Sequence, residues 1–141
     1  MTASQETPVF VSAAYDEAMA LLVQAKNYAM YVERKECLGL SPMERLVIHQ
    51  ESIALTSRLL RVLAWILWRK AAILEGAPDD PPFMFPDLEL FSNIDDLKAK
   101  PIPKGLYELI LRSNYLYIRM ARLEAIRKEE KQNEIENAAE L

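Results

Sequence analysis

The ten residues Leu59 to Trp68, LLRVLAWILW, put apolar side chains on more than one face of a helix. A surface helix of a globular protein needs a single apolar stripe turned to the core. A helix with two stripes is the central member of a bundle, or it serves a partner as well. The run cannot cross a bilayer, which takes about 20 predominantly apolar residues, and Arg61 interrupts it.

The run lies inside the best-marked helix of the chain. Ser41-Pro42-Met43-Glu44 is a capping box with proline at the first helical position. Gly76 and Pro78 supply the stop, so the pattern predicts a helix over 42–75, about 50 Å long. One of its stripes is Leu46, Ile53, Leu60, Leu63, Leu67 and Leu74. The other is Ile48, Leu55, Leu59, Val62, Ile66 and Ile73.

Two further helices are predicted on either side. The first covers 12–37, capped by Ser12, stopped by Gly39, with Asp16 and Glu17 favourably near its N-terminus. Its expected core stripe is Tyr15, Ala18, Leu22, Ala25, Ala29 and Val32. The third covers 104–128, with Leu106, Leu109, Ser113, Leu116, Met120 and Leu123 facing inward. Arg112, Arg119, Arg122, Arg127 and Lys128 make it basic. Between the second and third helices, residues 77–103 carry six prolines, which excludes a long helix. That crossover is acidic and also holds Phe83, Met84, Phe85, Leu88, Leu90 and Phe91, which must pack somewhere. One short helical turn is expected near Asp87 to Phe91.

The expected organisation is therefore all-α: a flexible N-terminus (1–11), a three-helix bundle (12–128) with a Pro-rich crossover, and a flexible acidic tail (129–141). The 141 residues suit one domain with a single core. The tail, EEKQNEIENAAEL, is too polar to bury itself, although it could extend the helix before it. The N-terminus lacks the features of a secretory signal. With Cys37 the only cysteine, no internal disulfide can form, and a reducing cytoplasmic setting is expected.

Residues with chemistry are few. His49 is the only histidine, and Glu44 to His49 has the wrong spacing for a bundle di-metal site. Cys37 falls at a helix C-terminus, where a thiolate is not favoured. No phosphate-binding glycine loop or nucleophile elbow is present. No catalytic, cofactor or metal residue is expected, and the chain reads as a non-enzyme.

What remains is binding surface. Trp65 and Trp68 lie on nearly one face; they read first as core aromatics and otherwise as a partner-binding face, since tryptophan is enriched at interface hot spots. The candidate protein-binding residues are Arg58, Leu59, Arg61, Val62, Trp65, Ile66 and Arg69 on the second helix, Arg119 and Arg122 on the third, and Glu134 and Glu136 in the tail. The two stripes of the second helix predict a homodimer using part of it. A basic third helix could instead meet a membrane surface or nucleic acid. The formal net charge of −4 and the acidic crossover and tail oppose that, so neither nucleic acid nor membrane insertion is expected.

Several runs resemble a family. Leu55-Thr56-Ser57-Arg58-Leu59-Leu60, Ala64-Trp65-Ile66-Leu67 and Arg69-Lys70-Ala71 are similar to the long second helix of the alphaproteobacterial regulators of CtrA degradation. The third-helix run Leu109-Ile110, Arg112-Ser113, Leu116-Tyr117 and Arg119-Met120-Ala121-Arg122-Leu123 fits too, as do Ala14-Tyr15-Asp16-Glu17-Ala18 and Gly39-Leu40-Ser41-Pro42. The resemblance spans about Phe10 to Arg127. It implies a dimeric three-helix bundle with a flexible tail, acting as an adaptor. Such an adaptor helps deliver cell-cycle regulators to the ClpXP protease, with a response-regulator partner that primes the protease.

Overall fold

The computed structural model describes residues 3–76 and 94–140. All regular structure among them is helical. The order is α1 (Ala3–Asn27), a π-helical turn (Tyr28–Val32), α2 (Glu33–Glu36), α3 (Pro42–Glu75), α4 (Ile94–Lys98) and α5 (Lys104–Ala139). The short helical turn expected near Asp87 to Phe91 lies outside the described residues.

The long central helix forms where its signals put it. The Ser41 hydroxyl accepts from the Glu44 amide, and the Glu44 carboxylate accepts from the Ser41 amide, each at 3.1 Å. Both orphan amides are thereby satisfied at the exposed start of α3. Gly39 and Gly76 adopt left-handed φ values of 85° and 67°, which glycine reaches without a Cβ clash.

Contacts fix the helix directions. Arg58 bonds Ser113 and Trp65 bonds Glu124, so α3 and α5 run parallel. Arg112 bonds Gln24 and Arg119 pairs with Glu17, so α1 runs antiparallel to α5. A parallel pair places Gly76 and Lys104 at opposite ends of the two helices. Just before α5, Leu97 is buried, and Lys100 Nζ meets Glu51 Oε1 at 2.7 Å.

The core forms where the three long helices meet. It contains Ala14, Ala18, Leu21 and Ala25 of α1, Ile48, Leu55, Leu59, Val62 and Ile66 of α3, and Leu106, Ile110, Leu116, Tyr117 and Met120 of α5. The alanines of α1 let its backbone approach α3 closely.

Three boundaries differ from the sequence expectation. The first helix begins at Ala3 instead of Ser12. Val11 is fully buried and Ser12 lies exposed within the helix, so the chain is already docked before the expected cap. The first helix is also interrupted by the π turn, which inserts residues into its repeat and rotates everything after it. Its buried stripe up to the start of that turn is Val11, Ala14, Ala18, Leu21, Ala25 and Tyr28, which keeps only Ala18 and Ala25 of the expected set, and Cys37 is buried after the turn. Tyr15 and Leu22 pack at the edge, and Ala29 and Val32 are exposed. Finally, α5 does not stop near Lys128 but continues to Ala139. Residues 129–139 are thus helical, and all but the half-buried Lys131 are exposed.

Candidate interaction surfaces

The two stripes of α3 have different fates. The stripe of Ile48, Leu55, Leu59, Val62 and Ile66 enters the core. The other, except for the buried Leu63, faces outward: Leu46 is 48% exposed, Ile53 66%, Leu60 54%, Leu67 55% and Leu74 81%. An exposed apolar ridge along a whole helix is unusual for a monomer, which makes it a candidate interaction surface.

This placement corrects five of the expected binding residues. Leu59, Val62 and Ile66 are fully buried in the bundle, and Arg58 and Trp65 are 0% and 1% exposed. In the folded protein they are core, because α1 and α5 pack on the side of α3 that carries them. The Arg58 Nε donates to the Ser113 hydroxyl at 3.0 Å, and Ser113 in turn donates to the Ile110 carbonyl at 2.9 Å. Desolvation lowers the Arg58 pKa to about 10, against the attraction of Glu51.

Trp65 belongs to a second buried polar group. Its indole donates to Glu124 Oε2 at 2.8 Å, and Arg127 closes on both carboxylate oxygens of Glu124 at 2.8 and 2.9 Å. The Arg127 guanidinium also lies 5.0 Å from the centre of the Trp68 ring. The two tryptophans thus fasten α3 to α5, and neither forms an open hot spot.

The remaining expected residues are at the surface or its edge. Arg61 and Arg69 are half-buried on α3, and burial beside the Arg127 charge holds the Arg69 pKa below its usual value. Arg119 is half-buried, paired with Glu17 and stacked near Tyr115 at 5.0 Å. Arg122 is exposed. Glu134 and Glu136 are exposed on the last turns of α5, with Glu136 accepting from Gln132 at 3.1 Å. The structure does not bring these residues together: α3, the outer face of α5 and the C-terminal turns are separate surfaces.

Of the basic side chains on α5, Arg112, Arg119 and Arg127 are engaged by Gln24, Glu17 and Glu124. That limits their use as a phosphate-binding strip. His49 is exposed, with Nδ1 3.4 Å from Glu33. Cys37 is buried, and desolvation together with Glu33 raises its pKa, which favours the unreactive thiol. No group of three or more potential metal ligands comes together among the described residues. No helix among them is long and apolar enough to cross a membrane.

Sequence reasoning missed an open groove beside the π turn, lined by Gln24, Tyr28, Tyr31, Val32, Gly105 and Arg112. The Tyr28 hydroxyl donates to Glu36 at 2.5 Å across the turn. The irregular helix creates the groove, and no residue pattern in the first helix announced it.

The fold and its surfaces define an all-α bundle built around one long helix with a buried face and an open apolar face. The chain belongs to the family DUF1465, whose description is "protein of unknown function"; the family pattern matches residues 3–80. The crystal structure of RcdA from Caulobacter crescentus CB15 is similar, with a TM-score of 0.63 and 26% identity. The similarity covers 83% of this chain and 89% of that one, so this chain is RcdA-like over most of its length. No curated protein sequence matches it.

Proposed function

We propose that this protein is a non-enzymatic adaptor in regulated proteolysis. It works in the cytoplasm as a homodimer and helps deliver cell-cycle regulators to the ClpXP protease, with a response-regulator partner that primes the protease. The observation that carries this reading is the similarity to RcdA over 83% of the chain. The surfaces are consistent with it. The ridge on α3 offers apolar area for association, and Tyr115, Ile118 and Arg122 on α5 form a separate exposed face for another protein. The acidic turns around Glu134 and Glu136 suit weak, reversible docking, because exposed charges contribute little affinity and are screened by salt.

Use of α5 against phosphate-bearing partners is disfavoured, since most of its arginines already have partners within the bundle. The test is a reconstituted ClpXP degradation assay with the response-regulator partner present. Adding this protein is expected to accelerate loss of the cargo. Unchanged degradation at saturating adaptor, for a cargo that binds the protein, would sink the reading.

A further inference from the structure

We propose that the groove between the π turn and α5 binds an extended segment of a partner protein, in which a basic side chain lies two residues from an apolar one. This rests on the adaptor reading above and deepens it, by giving the partner a docking site and a chemistry.

The groove has a volume of about 510 Å³, within the range of about 300–1,000 Å³ usual for binding clefts. One wall is the end of α1 with the π turn, and the other is the start of α5. No residue of α3 lines it, so use of the α3 ridge does not draw on its residues.

Two local features open the groove. In the π turn the Glu33 amide reaches back five residues to the Tyr28 carbonyl, which widens the helix there. Facing it, α5 presents Gly105. An added Cβ would stand 3.5 Å from the Tyr28 ring, an ordinary contact, and Gly105 is not among the glycines with positive φ. Alanine would therefore fit and would favour the helix. What glycine supplies here is space beside the ring, where a peptide backbone can come close to α5.

The lining specifies the occupant. Leu109 is 7% exposed, Val32 38% and Tyr31 66%, so the groove has an apolar floor and an open aromatic wall. Two carboxylates supply the charge. Glu36 accepts from Tyr28 through Oε2 and holds Oε1 3.8 Å from the Gly105 Cβ position, at the amide end of α5 that favours it. Glu108, a turn further in, lines the groove and is exposed. Neither has an ion-pair partner among the described residues. Lys104 and Arg112 stand one turn to either side of Glu108, yet neither pairs with it. Arg112 turns to α1, where its Nη1 donates to Gln24 at 2.8 Å.

Glu108 beside the Tyr31 ring is thus the open charge of the groove. A lysine or arginine of the partner laid along that ring gains cation–π attraction together with the ion pair. An acidic residue there would face Glu108 and Glu36. In an extended chain, side chains two residues apart point the same way. An apolar side chain two residues from the basic one then enters the floor between Val32 and Leu109, and the residue between them faces solvent.

The experiment uses the full chain, labelled with nitrogen-15, and two blocked peptides, acetyl-Leu-Ala-Arg amide and acetyl-Leu-Ala-Glu amide. Titration with the arginine peptide should shift the amide signals of Tyr31, Gly105 and Glu108. The acidic peptide should bind several-fold more weakly. Glu108→Lys should reverse that preference with an unchanged helical circular dichroism spectrum, because the side chain is exposed. Tyr31→Ala should weaken the arginine peptide, and Gly105→Leu should block both peptides by filling the groove.

Equal binding of the two peptides by wild type would overturn the proposal, as would no shift at millimolar peptide or shifts confined to other surfaces. A Glu108→Lys variant that keeps the wild-type preference would overturn it as well. None of these measurements involves the protease. If they fail while the protein still accelerates cargo loss, the adaptor reading stands and its docking site lies elsewhere. If they succeed while degradation is unchanged, the groove stands and the adaptor reading falls.

Discussion

Trp65 on α3 donates its indole N–H to Glu124 on α5 at 2.8 Å, with both residues 1% exposed. A carboxylate this deep is tolerable only because Arg127 meets both of its oxygens from one helical turn away. The indole, the carboxylate and the guanidinium form one unit that holds the two parallel helices in register.

Breaking that unit from the carboxylate side should be costly. Glu124→Leu strands the Trp65 N–H and the Arg127 charge, and we expect a loss of about 3 kcal/mol. Trp65→Phe leaves Glu124 its arginine partner and should cost about 2 kcal/mol, through one hydrogen bond and lost ring contact. Urea unfolding followed by circular dichroism checks the order. Equal losses from the two substitutions would mean that packing, and not the polar unit, matters at this position.

Arg58 should behave differently from an ordinary core side chain. It is fully buried, and its charge is destabilised by desolvation. Arg58→Met keeps much of the volume and removes the charge, so it should cost less than about 1 kcal/mol, whereas Arg58→Ala also opens a cavity and should cost about 3 kcal/mol. Thermal melts of the two variants at neutral pH distinguish these outcomes.

Alkaline pH should weaken the fold through Tyr28. Burial and the Glu36 carboxylate raise the Tyr28 pKa above its usual 10 in the folded protein. The unfolded chain then loses the phenolic proton first. The stability Tyr28 contributes is complete below pH 10 and declines above it. Arg58 works the other way in the same range, because its folded pKa is lowered to about 10 and protonation favours the unfolded chain up to the usual arginine value. The difference between wild type and Tyr28→Phe isolates the tyrosine. Wild type should lose melting temperature faster than Tyr28→Phe between pH 10 and 11; parallel curves would show that the Tyr28 hydroxyl is not held in the protonated form.

The C-terminal turns should matter little for stability. Deleting 130–141 removes a stretch whose described residues are exposed at all but Lys131, so the change should stay within about 0.5 kcal/mol. The same deletion should slow cargo delivery in the degradation assay. A much earlier melt would show that these turns are packed in the full protein.

Much of the architecture was legible in the residues. The capping box at Ser41, the left-handed glycines and the start near Lys104 are local signals, acting through backbone hydrogen bonds a few residues apart, and they survive folding unchanged. The double stripe of α3 was legible too. Which stripe would be buried was not, because both are equally apolar. The choice depends on where α1 and α5 lie, which is a property of the assembled bundle. For the same reason Arg58 read as a surface residue and is buried, while the choice between core and interface for Trp65 stayed open: their partners Ser113 and Glu124 lie 55 and 59 residues away. The π turn at Tyr28–Val32 left no mark in the residue pattern of the first helix. The sequence by itself determined where the central helix starts and stops, where α5 starts, and which residues could be apolar contacts. Only the tertiary structure decided which of those contacts are spent inside the bundle and which remain for a partner, because burial is set by the placement of distant elements and not by the repeat within one.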